Sequence, residues 1–159
     1  MVERTRTHSL TITRTLGAIA LLVIGGVHYQ QYRYAFYSSI PTIGPLFLLN
    51  FVAGTTLGLF LLAPGRSKLG RHGKLLDQLA ALSGIGVAAG GLAGLLVSEH
   101  TPLFGFIEHG YRFAIVLAIA SDAAAIIMLT LFLVCVRSGG HGPTHGLVSQ
   151  RPGTPAAES

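Results

Sequence analysis

One acidic residue, Asp122, stands inside a long apolar stretch of this chain. If that stretch is a membrane-spanning helix, the residue lies about 15 Å from the nearer end, close to the bilayer centre. A carboxylate there is costly, so the group should be protonated, paired or facing a hydrated interior. It either hydrogen-bonds between helices and stabilises their packing, or exchanges a proton or substrate. The nearest expected partner by depth is Asn50.

A second set of polar residues lies near the ends of the apolar stretches. Histidine nitrogens and carboxylate oxygens suit Zn²⁺ or Cu²⁺, so part of the set is a candidate metal site. The spacing matches no established metal signature, and hydrated groups at the membrane interface are the alternative. The set consists of His28, Tyr32, Arg33, Glu99, His100, Glu108, His109 and Arg112.

His28 differs from the rest of this set because it ends the first apolar stretch and can contact the protein interior. An axial haem ligand would need a second central histidine, and no apolar stretch offers one. The sequence therefore assigns no cofactor. His28 stays a candidate for a ligand or proton site, together with Asp122, Asn50 and Glu108.

Glycines recur every four residues in the third apolar stretch, at Gly86, Gly90 and Gly94. Helices in lipid associate through small residues that let their backbones approach closely. The spacing therefore predicts a helix–helix contact along this stripe. Residues 84–89, GIGVAA, also match a dinucleotide-binding fingerprint, but no strand precedes them and the match is rejected.

The elements that must position these residues are four apolar stretches. The chain has 159 residues, 50% of them hydrophobic and 11% charged, with a mean hydropathy of +0.60. Soluble domains carry about 25% charged residues, so this composition is typical of an integral membrane protein. Crossing a bilayer takes about 20 apolar residues in a helix. The predicted spans are residues 15–34, 45–62, 75–97 and 113–136.

Short connections between these spans predict antiparallel neighbours in an all-α, integral membrane four-helix bundle. Nine of the eleven Lys and Arg residues lie in the N-terminal segment, the middle connection and the tail. Because Lys and Arg are retained on the cytoplasmic side, both termini are predicted to be cytoplasmic in the plasma membrane. The domains are then a cytoplasmic segment (1–14), the transmembrane domain (15–137) and a disordered tail (138–159). The first stretch also resembles a signal peptide, although GGVHYQQ is a poor cleavage site.

Four of the five tyrosines fall within residues 28–45, at the predicted outer end of the first span. Tyrosine rings at a membrane interface stay apolar while their hydroxyls meet water or headgroups. The crowding therefore predicts an aromatic belt, and a ligand platform built from the same rings is the alternative. The tyrosines are Tyr29, Tyr32, Tyr34, Tyr37 and, at the start of the fourth span, Tyr111.

With these residues identified, the chain resembles a group of small, four-span membrane proteins of actinobacteria. The resemblance rests on IPTIGPLFLLNFVAG at residues 40–54, LFGFIE at residues 103–108, His28 and Asp122. It implies membership and orientation but no mechanism. A looser architectural likeness, in span number and the position of His28, is to DoxX-like proteins, some of which are linked to quinone-dependent redox chemistry.

The sequence favours a non-enzymatic accessory or binding module, because it contains no nucleophile elbow, P-loop, zincin helix or CxxC motif. One alternative is a small proton-coupled carrier that uses Asp122. Another is a quinone-linked or redox membrane subunit that uses His28 and the tyrosines. The expected partner is the lipid bilayer, and other membrane proteins or a second copy are also open. Nucleic acid is excluded because the basic residues form no continuous stripe.

Overall fold

Four α-helices build the part of the chain that the computed structural model describes, which is residues 2–35, 37–65, 70–100 and 113–138. They are α1 (Val2–Tyr34), α2 (Ile43–Leu62), α3 (Gly70–His100) and α4 (Phe113–Arg137). A short 3₁₀ turn, Tyr37–Ser39, lies between α1 and α2. Each α-helix is long and apolar enough to cross a membrane. The predicted all-α four-helix bundle is confirmed.

Helix α1 extends well beyond its predicted span at its start, and α3 does so at both ends. Helix α1 begins at Val2, far ahead of residue 15, because neither Gly nor Pro occurs before Gly17. Its hydroxyls bond back to the helix: Thr13 Oγ1 donates to the Ser9 carbonyl oxygen at 2.8 Å. Helix α3 ends at His100, in agreement with Pro102, since proline disfavours helical backbone in the residue before it. The predicted disordered tail lies outside the described residues beyond Ser138.

The helices are arranged as a ring in chain order. Helix α1 packs most extensively along α2 and α4, whereas α3 packs along α4 and less closely against α2. Across the ring, α1 and α3 barely touch, and the described parts of α2 and α4 make no close backbone contact. Sequential helices are therefore neighbours, as the short connections predicted, and the α2–α3 side is the loosest long contact in the ring.

Close backbone contact between helices uses glycines other than those predicted. A Cβ added to Gly54 would lie 2.9 Å from the Leu21 carbonyl oxygen, and one on Gly58 would lie 2.9 Å from that of Ala18. Helices α1 and α2 therefore pack through a Gly-x-x-x-Gly face of α2. At Gly86, Gly90 and Gly94, an added Cβ would meet no described atom within 4 Å. Among the described residues, no other helix packs closely on that stripe, so the predicted contact is not found there.

The packing of α3 against α4 explains this difference. A Cβ on Gly84 would lie 2.9 Å from Leu129 Cδ1, and one on Gly91 would lie 3.4 Å from Asp122 Oδ2. Gly84 and Gly91 are seven residues apart on α3, and their partners Leu129 and Asp122 are seven residues apart on α4. Seven residues make about two helical turns, so the two helices match in an antiparallel register. Helix α3 thus presents the Gly84–Gly91 side to α4, and the four-residue stripe belongs to another side of the helix.

The two halves of the bundle differ in packing. In the half that contains the start of α1, the core is built from small and aliphatic side chains together with Phe132, and Leu21, Ala81 and Leu129 are fully buried. An ion pair at 3.4 Å between Arg14 Nη1 and Asp77 Oδ2 joins α1 to α3 in the same half. The other half contains the end of α1, the start of α2, the end of α3 and the start of α4, and it encloses a cavity.

Candidate functional site: a cavity between the four helices

A cavity of about 310 Å³ lies between the four helices, and all of them contribute to its wall, together with the 3₁₀ turn. Its main apolar side chains are Val27, Ile43, Leu46, Phe47, Leu95 and Ile115. Its polar side chains are His28, Gln31, Tyr37, Asn50, Ser98 and Asp122. A mainly apolar cavity with a few convergent polar groups is typical of a small-molecule site.

A larger, open groove of about 710 Å³ runs along the outside of α1 and α4. Residues such as Val23, Gly26, Phe113 and Leu117 line it, and Tyr34 is the only ionisable residue among the described ones that do. The groove therefore offers little chemistry, whereas the cavity contains both His28 and Asp122. The cavity is the better candidate site despite its smaller volume.

The Asp122 side chain is 2% exposed and forms part of the cavity wall. Its Oδ1 atom is buried without a hydrogen-bond partner among the described residues. Asn50 lines the same cavity, as its depth predicted, but the expected hydrogen bond between the two side chains is not present. The prediction that Asp122 hydrogen-bonds to Asn50 is therefore wrong, and no described group supports a role for the carboxyl as a hydrogen-bonded link between helices.

Gly91 of α3 creates the space for the Asp122 carboxyl group. Any side chain at position 91 would begin with a Cβ 3.4 Å from Oδ2 and 3.7 Å from Oδ1. The carboxyl group thus lies against bare helix backbone. Sequence reasoning missed Gly91 because it lies one residue away from the four-residue stripe, although its seven-residue spacing from Gly84 was available as a signal.

The His28 ring is buried in the cavity wall, and its hydrogen bond determines its tautomer. Nδ1 lies 2.8 Å from the Ile24 carbonyl oxygen. Because a carbonyl only accepts, Nδ1 carries the hydrogen, and in the neutral ring Nε2 is left as an acceptor. The ring also packs on Phe47, with centroids 5.1 Å apart. The expectation that His28 contacts the bundle interior is confirmed.

Tyr37 lies in the cavity wall and not in an aromatic belt. The ring is 4% exposed and stacks on Phe47, with centroids 4.7 Å apart and planes 9° apart. Tyr34 is 72% exposed, and Tyr29 and Tyr32 are less buried than Tyr37, so these three fit an interfacial position. The belt is therefore the wrong interpretation for Tyr37. Arg33 is exposed and is not a cavity residue, and Tyr111 lies outside the described residues.

A tight turn holds Tyr37 and the start of α2 together. The Ile43 N–H donates to the Pro41 carbonyl oxygen at 2.9 Å, which closes a three-residue γ-turn around Thr42. Thr42 has φ 70° and ψ −46°, a strained backbone conformation for a β-branched residue. A Cβ on Gly44 would lie 3.0 Å from the Tyr37 carbonyl oxygen. The small residue at position 44 lets the 3₁₀ turn pack against α2 and places Tyr37 beside Ile43 in the cavity wall.

Two cavity residues missed by sequence reasoning, Gln31 and Ser98, are also buried. Gln31 lies one helical turn after His28, and this spacing was a usable signal for a shared face. Gln31 Nε2 donates to Gln30 Oε1 at 2.8 Å, and Ser98 Oγ donates to the Leu95 carbonyl oxygen at 2.8 Å. The Ser98 oxygen therefore offers only lone pairs to the cavity.

The predicted metal constellation is only partly described. Glu108 and His109 lie outside the described residues, and only the backbone of Glu99 is described. His100 is exposed, with Nδ1 2.9 Å from the Leu96 carbonyl oxygen, whereas His28 is buried in the cavity. Within the described ranges, no group of three or more His, Cys, Asp or Glu side chains is placed to hold a metal ion.

Comparison with known proteins assigns the chain to no family and the cavity to no ligand. No family model matches the chain, and no curated protein or solved structure matches it. The resemblance to the small actinobacterial membrane proteins therefore stays a prediction.

Proposed function

We propose that this protein is a binding module of the plasma membrane whose ligand occupies the cavity between the four helices. The observation that carries the proposal is the Asp122 carboxyl group, buried in the cavity wall with Oδ1 unpartnered among the described residues. Buried polar atoms in proteins nearly always have partners, and an intramembrane carboxyl without one is a functional-site hypothesis by default. A ligand supplies the missing partner.

The exposure of the cavity residues supports entry from the side of the bundle. The deep part of the wall, including His28, Ile115 and Asp122, is buried. In contrast, Leu49 of α2 is 62% exposed, and Gly90 of α3 is also exposed. These residues belong to the α2–α3 side, where helix contact is least extensive. A ligand dissolved in the bilayer therefore has a route between α2 and α3.

The distribution of positive charge supports a location on the outer side of the membrane. The cavity lies in the half of the bundle that contains the end of α1 and the start of α2. The chain there carries only Arg33, in the last turn of α1, and Arg112, before α4. The opposite half faces the Lys- and Arg-rich N-terminal segment and middle connection. Under the positive-inside rule, the cavity lies in the outer half of the bilayer, and both termini are cytoplasmic.

A proton-coupled carrier is the second candidate, and one observation favours it. The packed half of the bundle closes the cavity on its inner side, and the Arg14–Asp77 ion pair joins α1 and α3 in that half. Transport would require these contacts to open while the cavity closes on the outer side. A binding module requires no such rearrangement, so movement of a bound molecule across a sealed vesicle distinguishes the two.

The proposal is tested by placing a large side chain in the cavity, at a position where an added side chain should not disturb the helix packing. Gly90 lines the cavity and Gly86 does not, yet a Cβ at either position meets no described atom within 4 Å. Native mass spectrometry of protein purified in mild detergent should show a bound small molecule on the wild type and on Gly86→Leu, but not on Gly90→Leu. The same adduct on Gly90→Leu, or none on any of the three, would contradict the proposal.

A further inference from the structure

We infer that the cavity takes a small organic ammonium cation with apolar substituents, and that this cation replaces the proton on Asp122. The inference rests on the proposed binding function and names the ligand class. It starts from charge: among the described residues that line the cavity, Asp122 is the only acidic one, and none is Lys or Arg. An anionic ligand would meet a carboxyl group and no permanent cation.

The hydrogen-bonding groups of the cavity also favour a ligand that is positively charged or donates hydrogen bonds. Asp122 Oδ1 is an acceptor without a described partner. His28 donates its Nδ1–H to the Ile24 carbonyl oxygen, so Nε2 of the neutral ring can only accept a hydrogen bond. The Ser98 hydroxyl donates its hydrogen to the Leu95 carbonyl oxygen, so its oxygen can only accept from a ligand. Three acceptors thus face the cavity, beside the amide groups of Gln31 and Asn50, which can both donate and accept hydrogen bonds.

The rest of the wall suits an organic cation better than a metal ion. The described residues contain no cluster of metal-ligating side chains, and hard cations such as Ca²⁺ or Mg²⁺ take about six or more oxygen ligands. Phe47 and Tyr37 instead supply stacked aromatic surface, which attracts organic ammonium groups through cation–π interaction. Val27, Leu95 and Ile115 supply apolar surface for the substituents. At about 310 Å³, the cavity favours a small ligand.

The binding step is an exchange of charge at one carboxyl group. The O–H bond of protonated Asp122 breaks, its proton passes to water, and the carboxylate forms an ion pair with the incoming cation. One proton leaves for each cation that binds, and the cavity stays electrically neutral. The other titratable groups that line the cavity are His28 from α1 and Tyr37 from the 3₁₀ turn, whereas the described lining residues of α2 and α3 are not titratable.

Benzyltrimethylammonium is a suitable probe because its quaternary nitrogen has no proton to release. Isothermal titration calorimetry of the full chain in detergent, repeated in buffers of different ionisation enthalpy, measures both affinity and proton release. On the acidic side of Asp122 titration, we expect proton release to approach one per cation and the affinity to fall about tenfold per pH unit. Asp122→Asn should abolish both, whereas His28→Gln should still release one proton when the cation binds.

The controls separate this inference from the binding proposal. Neopentylbenzene has the shape of the probe without its charge and should raise the melting temperature much less than the cation does. Equal effects of both compounds, or unchanged cation affinity in Asp122→Asn, would overturn the cation inference. Binding without proton release would overturn the exchange. If neither compound binds, the inference fails, and the adduct comparison of Gly90→Leu with Gly86→Leu decides the binding proposal separately.

Discussion

The Asp122 carboxyl group of α4 faces the backbone of Gly91 in α3, with a separation of 3.4 Å between Oδ2 and the position that a Cβ on Gly91 would occupy. Two features of the site follow from this relationship. The carboxyl group keeps an open side toward the cavity because the opposing helix has no side chain at this level. The helices are also close enough there to exclude a bulky residue at position 91.

Substitution of Gly91 should therefore affect binding more than folding. Gly91→Ala places a methyl group in ordinary van der Waals contact with the carboxyl group, and both Gly91→Ala and Gly90→Ala gain helix propensity. We expect benzyltrimethylammonium affinity to fall by roughly tenfold in Gly91→Ala, which corresponds to about 1.4 kcal/mol. Gly90→Ala, whose Cβ meets no described atom within 4 Å, should bind more strongly than Gly91→Ala, and equal calorimetric affinities would argue against the role of Gly91.

The α1–α2 contact should depend on Gly54. Gly54→Ala brings a Cβ to 2.9 Å from the Leu21 carbonyl oxygen, so the two backbones must move apart. We expect thermal unfolding in detergent to show a loss of about 1–3 kcal/mol, the usual effect of overpacking. Gly86→Ala should show no loss, because its Cβ meets no described atom within 4 Å. A loss at Gly86 with none at Gly54 would restore the original prediction of the four-residue stripe.

Glycine at position 42 should relieve the backbone strain of the γ-turn before α2. Thr42 has a positive φ, and glycine adopts this conformation without the steric penalty of a β-branched side chain. Thr42→Gly should leave the free energy of unfolding unchanged or raise it by up to about 1 kcal/mol. Thr56→Gly, at an exposed position inside α2, should lower it by roughly 0.3 kcal/mol. Thermal unfolding of the two variants in one detergent measures the difference, and an equal loss in both would show that position 42 is not strained.

Membrane orientation is tested by labelling with an impermeant maleimide in a Cys135→Ser background, which removes the chain's single cysteine. Ser38→Cys, exposed in the 3₁₀ turn, should label in intact cells. Ser67→Cys, in the Lys- and Arg-rich connection, should label only after permeabilisation, because positive charge is retained in the cytoplasm. The reverse pattern would place the cavity in the inner half of the bilayer.

The sequence was sufficient to predict the helices and their order, since both follow from hydropathy and connection length. It also indicated that Asn50 and Asp122 share one level and that His28 faces the interior. It was not sufficient to identify which side of α3 meets α4. A glycine stripe shows where a helix can be approached, whereas the contact also depends on neighbouring side chains, here Leu129 beside Gly84 and Asp122 beside Gly91.

The position of Tyr37 was unpredictable for a related reason. Composition alone places tyrosines at a membrane interface, and Tyr34 agrees with that rule. Tyr37 departs from it because the γ-turn at Thr42 and the absence of a side chain at Gly44 fold the 3₁₀ turn back onto α2. Such a change in chain direction depends on a few backbone angles and leaves little trace in hydropathy.

An experimental structure of the protein, purified from membranes in mild detergent without added ligand, tests the binding proposal most directly. The proposal predicts density for a non-protein molecule in the cavity, with an atom within about 3–4 Å of the Asp122 carboxyl group, a distance that covers hydrogen bonds and close ion pairs. Gly90→Leu should lack this density while keeping the same helix arrangement. A cavity filled by the chain's own side chains, with Asp122 Oδ1 hydrogen-bonded to one of them, would contradict the proposal.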